Sequence, residues 1–146
     1  MQILPMTTAD YPAARALWRA TPGMGLNAVD DSAEGIARFL RRNPTTCFVA
    51  RQDAQLCGVI LCGHDGRRGY IYHAAVARDA RGQGIGSALL DAALRGLMDA
   101  GICKAALVAF ADNEIGNAFW TGRGFSDRPD LRYRDFTLTP LPPLAE

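Results

Sequence analysis

From residue 85 to residue 100 the apolar residues Ile85, Ala88, Leu89, Ala92, Ala93 and Leu97 recur at helical spacing, and Ser87, Asp91, Arg95 and Asp99 take the opposite side. That pattern predicts an amphipathic helix, closed by Gly101 as its C-terminal cap. Two earlier segments read the same way. The first runs from a cap at Thr7 or Thr8 to Ala20, with Ala14, Leu17 and Trp18 on one face, and breaks at Pro22, Gly23 and Gly25. The second starts at Asp31 and Glu34, which have capping-box spacing, and carries Ile36, Phe39 and Leu40 on a stripe opposite Arg38, Arg41 and Arg42. A last helix is predicted over 113–123.

Between the helices the period changes to that of strands. A short strand is predicted near Ile3, then CFVAR at 47–51 and LCGVILCGH at 56–64 joined by a polar turn, and YIYHAAVA at 70–77 after the turn DGRRG. The segment 56–64 is apolar at odd and even positions alike, as is KAALVAF at 104–110, so both faces of the sheet are expected to be covered by helices. LRYRDFTLT at 131–139 alternates and is expected to close the sheet as a half-exposed strand. The predicted order is β-α-α-β-β-β-α-β-α-β, an α/β fold in one domain over residues 1–140. Pro140, Pro142 and Pro143 make 141–146 an extended or disordered tail.

Composition narrows the function without naming it. A chain of 146 residues with 49% apolar content builds one substantial core. Sixteen Lys plus Arg against fifteen Asp plus Glu leave a net charge of +1, too little to collect nucleic acid or anionic membrane. No basic leader and no apolar run of the roughly 20 residues that span a bilayer is read, so a cytoplasmic protein is expected. The cysteines Cys47, Cys57, Cys62 and Cys103 all fall in apolar, strand-like runs, where a thiol behaves as a small buried hydrophobe. With no CxxC pair and two histidines, no metal site is predicted.

The segment that carries chemistry is ARGQGIGS, in which Arg81, Gly82, Gln83, Gly84, Ile85, Gly86 and Ser87 lie between a buried strand and the helix that follows. Glycines here remove the Cβ atoms that would hold a ligand off the backbone. The amides of a helix N-terminus, with roughly half a positive charge of macrodipole, then favour an anion, and Arg81 and Ser87 add side-chain donors. A Walker loop is excluded because no Gly-Lys pair followed by Ser or Thr occurs. A dinucleotide fingerprint needs glycine at 87, which is Ser, and an acidic strand end about 20 residues later, where Leu107 stands.

The segment resembles motif A of the GNAT superfamily of N-acetyltransferases, through Arg81, Gly84 and Gly86. NEIGNAFWTGRGF resembles motif B of the same family, through Asn113, Ala118, Phe119 and Gly124-Phe125. The hairpin GHDGRRGYIY is similar to the YpeA-type subgroup of small bacterial members. The resemblance implies a single-domain GNAT fold: a mixed, mostly antiparallel central sheet with helices on both faces.

It also implies acetyl-CoA as cosubstrate, with the acetyl group passed directly to an amine in a ternary complex. The arm of the cofactor would lie along Ala74-Ala75-Val76, the Val76 N–H would polarise the thioester carbonyl, and residues 81–87, Asn113 and Trp120 would complete the cofactor contacts. Two departures stand out. Trp120 occupies the place where many members have a tyrosine that protonates the departing thiolate. Tyr72, with His73 beside it, stands where members often have a glutamate base.

An amine of pKa about 10 must lose a proton before it attacks, and an imidazole titrates in a suitable range, but strand alternation would turn His73 to the other face from Tyr72. The acceptor is an amine of a small metabolite or of a peptide or protein, its identity set by residues 23–31 and by the region of Tyr133. Arg67 and Arg68 read as solvated turn charges. A homodimer is compatible with this reading. A second class of function, a CoA-binding module without turnover, is suggested by Trp120 and the missing glutamate.

Overall fold

A computed structural model describes residues 1–146 as an α/β domain whose five-stranded sheet runs in the order β1-β2-β3-β4-β5. The strands are β1 (Gln2–Pro5), β2 (Phe48–Gln52), β3 (Gln55–His64), β4 (Gly69–Val76) and β5 (Ala105–Leu107). Neighbours pair antiparallel except β4 and β5, which run parallel. Helices α1 (Tyr11–Arg19) and α2 (Ala33–Arg42) cover one face of the sheet. Helix α3 (Ile85–Asp99) covers the other, and the aromatic residues of α4 (Glu114–Gly122) pack beside it.

The continuous apolar run of β3 finds its explanation in this layering. Ile60 and Cys62 join Ile71, Ile85, Leu89, Leu90, Ala93 and Leu97 under α3, while Val59 and Leu61 join Ala14, Trp18, Ile36, Leu40 and Ala75 under α1 and α2. At about 25 cal/mol per Å² of apolar area, two such layers supply the main drive for folding.

Five expectations are corrected. Residues 131–139 form no strand: Leu131, Tyr133, Phe136 and Leu138 are exposed. Their apolar positions change phase at Asp135, odd before it and even after, so no single face of a strand could be buried. Strand β5 is cut to Ala105–Leu107. The cap of α2 is Ser32, whose hydroxyl oxygen accepts the Gly35 amide at 3.0 Å, because the Asp31 carboxylate is engaged elsewhere. Cys103 is exposed ahead of β5 instead of buried within it. Tyr72 and His73 do not alternate across the sheet, as described below.

The tail lies extended across the surface. Pro142 accepts the Ala28 amide at 2.7 Å, Pro143 bridges to Asn27, and Arg15 and Arg19 of α1 donate to the Ala145 carbonyl.

The buried thiols report on the core. Burial pushes both Cys47 and Cys62 up from the ordinary 9.0 to about 12. Below that ordinary value both states keep the protons; between it and the raised value the unfolded chain ionises and the folded chain does not. Stability is therefore expected to fall with rising pH across that window, by about 1.4 kcal/mol per pH unit for each thiol. Urea denaturation on the two sides of the lower limit checks it, and a Cys47→Ala/Cys62→Ala variant should show a flatter alkaline slope. An identical slope in that variant would remove the thiols as the cause.

Candidate active site

A bulge in β4 creates the site. Ile60 pairs with Ala74 and Cys62 with Ile71, so that both Tyr72 and His73 lie opposite Leu61. The extra residue turns the two side chains to the same side, toward α1 and α2: the Tyr72 ring meets Phe39 of α2 at 5.5 Å, and the His73 ring meets Trp18 of α1 at 5.2 Å. Parallel pairing with β5 ends at Ile71 and Leu107, where the bulge begins. Beyond that point the β5 side of β4 is an open edge.

The register says which groups face the opening. Ala77 donates to Cys57 at 2.8 Å, and in an antiparallel ladder alternate residues turn their N–H and C=O to opposite edges. The Ala75 groups therefore serve β3, while those of Ala74 and Val76 look into the open edge. The Val76 carbonyl is met there by the Arg81 Nε–H at 3.2 Å. The side chains of Ala74 and Ala75 pack into the two opposite core layers, so their contribution to the edge is backbone and small size.

The open edge leads into the start of α3. Gly82 and Gly84 have φ of +77° and +78°, a left-handed conformation that suits glycine, and a Cβ on either would meet nothing within 4 Å. No backbone amide from Gly82 to Ser87 donates to an acceptor in the chain; the first donor of the helix is Ala88, to Gly84. Six N–H groups are thus left without an acceptor in the chain at a helix N-terminus, where unpaired amides suit a phosphate.

The side chains of the turn divide their tasks. Ile85 is buried in the core, Gln83 is tied to Gln52 at 2.8 Å, and Gly86 lets Phe119 of α4 approach, since a Cβ there would lie 3.3 Å from the ring.

Asn113 and Trp120 lie on α4. Asn113 caps that helix, its Oδ1 accepting the Gly116 amide at 3.1 Å. Trp120 stands between Phe119 and Phe125, at centroid distances of 5.0 and 5.3 Å, and rests on the α3 layer of the core. A cavity of about 550 Å³ opens between Pro22-Gly23 and residues 110–115, with Asp112 and Glu114 on its wall.

One contact of the site was not found by sequence reasoning. Asp31 reaches across to β4, where its Oδ1 lies 2.7 Å from His73 Nε2, and its Oδ2 accepts the Asn27 amide at 2.8 Å. Tyr11 donates its hydroxyl to the Asp31 carbonyl at 2.7 Å and braces the same turn. Only 13% of the His73 side chain reaches solvent. The Trp18 indole N–H beside it is buried without a protein acceptor. No local signal in the sequence ties residues so far apart.

The phenols of Tyr72 and Tyr70 are held above the usual range for tyrosine, first by burial; neighbouring charges, Asp30 for Tyr72 and Tyr133 for both, add to the effect. Cysteine chemistry is disfavoured here, because the thiols of Cys47, Cys57 and Cys62 are raised by burial and hold their protons.

A free strand edge that runs into unpaired amides is an arrangement suited to a ligand with an extended arm and a phosphate group. The chain belongs to the acetyltransferase (GNAT) family, whose model matches residues 11–125. It is 31% identical over 114 residues to an acetyltransferase of Pectobacterium atrosepticum, ECA0875, covering 78% of this chain and 79% of that one. It is 32% identical over 92 residues to N-alpha-acetyltransferase 30 of Schizosaccharomyces pombe, with 60% and 61% covered. In fold it is similar to the aminoglycoside acetyltransferase AAC(6')-Iy in complex with a CoA bisubstrate analogue, at a TM-score of 0.74 and 16% identity over 93% of this chain and 97% of that one.

Proposed function

We propose that the chain is an acetyl-CoA-dependent N-acetyltransferase that passes the acetyl group directly to a primary amine held in the same complex. The observation that carries the proposal is the run of unpaired amides from Gly82 to Ser87 at the open end of β4. Bound acetyl-CoA supplies an acetyl thioester and a diphosphate. The amides fit the diphosphate, with the Arg81 guanidinium beside them, and the Ala74 and Val76 backbone fits an extended amide arm. The Val76 N–H, turned to the open edge, is the donor available to charge developing on a carbonyl oxygen. Asn113 keeps its Nδ2 free for the same ligand, and Trp120 forms a wall of the cleft.

His73 is the base in this reading. If its Nε2–H is given to Asp31, the other ring nitrogen, Nδ1, is left as proton acceptor, and the carboxylate stabilises the imidazolium that forms. Tyr72 stays protonated at neutral pH, which suits it to hold an acceptor and not to deprotonate one. No acid stands at Trp120, and a thiolate whose conjugate acid has a pKa of about 8.5 departs without one, at a slower rate. Trp120→Tyr is therefore expected to raise the rate of thiol release several-fold; an unchanged rate would remove that role.

The test of the whole reading is thermal shift with acetyl-CoA, CoA, NAD and ATP, then thiol release across a panel of amines. Stabilisation by acetyl-CoA and thiol release from at least one amine is the expected result. Stabilisation without release from any amine would favour a CoA-binding module, the second reading that Trp120 supports. Stabilisation by NAD alone would overturn both. A homodimer is the expected assembly, since Val108, Phe110, Phe136 and Leu138 are exposed; light scattering after gel filtration checks it.

A further inference from the structure

The face of β4 that presents His73 also presents a row of aromatic rings. Phe39 of α2 meets Tyr72 edge to face at 5.5 Å and 83°, and Tyr72 meets Tyr70 at 4.6 Å and 47°. The row is not closed over, because the Tyr72 residue is 55% exposed. The bulge is what brings it to the site: with regular alternation Tyr72 would face away from the residue that Asp31 holds.

A carboxylate stands at the same place. Asp30 precedes the residue bound to His73, is exposed, and is fixed by the Asn27 side chain, whose Nδ2 donates to it at 3.0 Å. Asn27 Oδ1 in turn accepts the Asp30 amide at 2.7 Å, so the turn is rigid. Asp30 has no cationic partner in the chain; the ion pairs are Arg51–Asp10, His73–Asp31, Arg123–Asp91 and Arg128–Asp130. Its charge is felt at the Tyr72 hydroxyl, which it helps to keep protonated.

Electron-rich ring faces beside an unpaired, positioned carboxylate attract a cation. They repel an anion. We infer that the acceptor is a polyamine-like molecule with a second positive centre, which rests on Tyr72 and Tyr70 against Asp30 while its reactive amine reaches His73. This inference rests on the transfer reading above and names the substrate class for that site. The reach is set by the strand. From Tyr72 to the Val76 amide, at about 3.3 Å per residue, the backbone spans roughly 10–13 Å. An acceptor with widely spaced nitrogens is therefore expected to outdo a short diamine, and a short diamine to outdo a monoamine.

The probes are n-butylamine, 1,4-diaminobutane and spermidine, each measured as kcat/KM for thiol release and as binding by calorimetry to the chain alone and in the presence of CoA. The expected order is spermidine, then diaminobutane, then butylamine, with at least about tenfold between the ends of the series. Asp30→Asn and Tyr72→Leu should collapse that ratio toward unity, whereas Tyr72→Phe, which keeps the ring, should retain most of it.

Equal values for the three amines in the unaltered chain would overturn the inference, as would a preference that survives both Asp30→Asn and Tyr72→Leu. Acetyl-CoA binding without spermidine binding would overturn it as well. Spermidine binding that is lost in Tyr72→Leu, in a chain that does not bind acetyl-CoA, would uphold the cation site and refute the transfer reading.

Discussion

Replacing Gly84 with valine is expected to abolish acetyl-CoA binding, with a loss of at least about 100-fold in affinity, while the domain still folds. Gly84 has φ of +78° and no heavy atom within 4 Å of where its Cβ would lie, so the added side chain meets no part of the core. The cost to the fold is the left-handed backbone alone, of order 1–2 kcal/mol for a residue with a side chain.

The cost to binding is different in kind. A branched side chain at 84 stands among the free amides of 82–87 and holds a diphosphate beyond hydrogen-bonding distance, where contacts to a charged oxygen are each worth about 1.5–3 kcal/mol. Gly84→Asn separates the two effects, since asparagine tolerates this conformation better than valine. It should recover stability and not affinity. Calorimetry with acetyl-CoA and a melting curve measure both, and a folded Gly84→Val protein of undiminished affinity would exclude the amide nest as the anchor.

The second large effect is expected at His73. His73→Gln should lower kcat by about 10²–10⁴ and leave acetyl-CoA affinity as it was, since general base catalysis is worth that much and the side chain lies on the α1 side of β4, away from the glycine turn.

Asp31→Asn is the companion test. Asp31 touches no substrate in this reading; it positions the imidazole, so its loss should lower kcat by a smaller factor than the loss of His73. A His73→Gln enzyme with full kcat would leave the amine to be deprotonated by solvent.

What was legible in the chain and what was not divides along a physical line. The proposed anion site was readable as a candidate because its chemistry is backbone chemistry, carried by alternate glycines before an amphipathic helix. Helix α3 was legible for a related reason, its apolar spacing being set by one period from Ile85 to Leu97.

The proposed base was only half legible. His73 was visible as a residue, but its orientation depends on one extra residue in a strand, and nothing in Tyr72-His73 marks a bulge. Its partner Asp31 looked like a helix cap, and Ser32 next to it does that work. Neither fact is local, since each is decided by how α2 docks on β4. The segment 131–139 failed for another reason: its apolar positions change phase at Asp135, and a strand needs a neighbour, whereas the sheet ends at the three residues of β5.

In the proposed reading the far end of the chain also belongs to the acceptor side. Residues 142–145 are stitched to Arg15, Arg19, Asn27 and Ala28, and through them brace the turn on which Asp30 and Asp31 sit, whereas the diphosphate anchor lies elsewhere on the sheet. In the proposed reading, recognition of the donor and choice of the recipient fall to separate stretches of polypeptide. Exchanges in these last few positions would retune which amines are taken without disturbing the grip on the coenzyme, and among relatives with the same glycine turn it is there that divergence in selectivity should be sought.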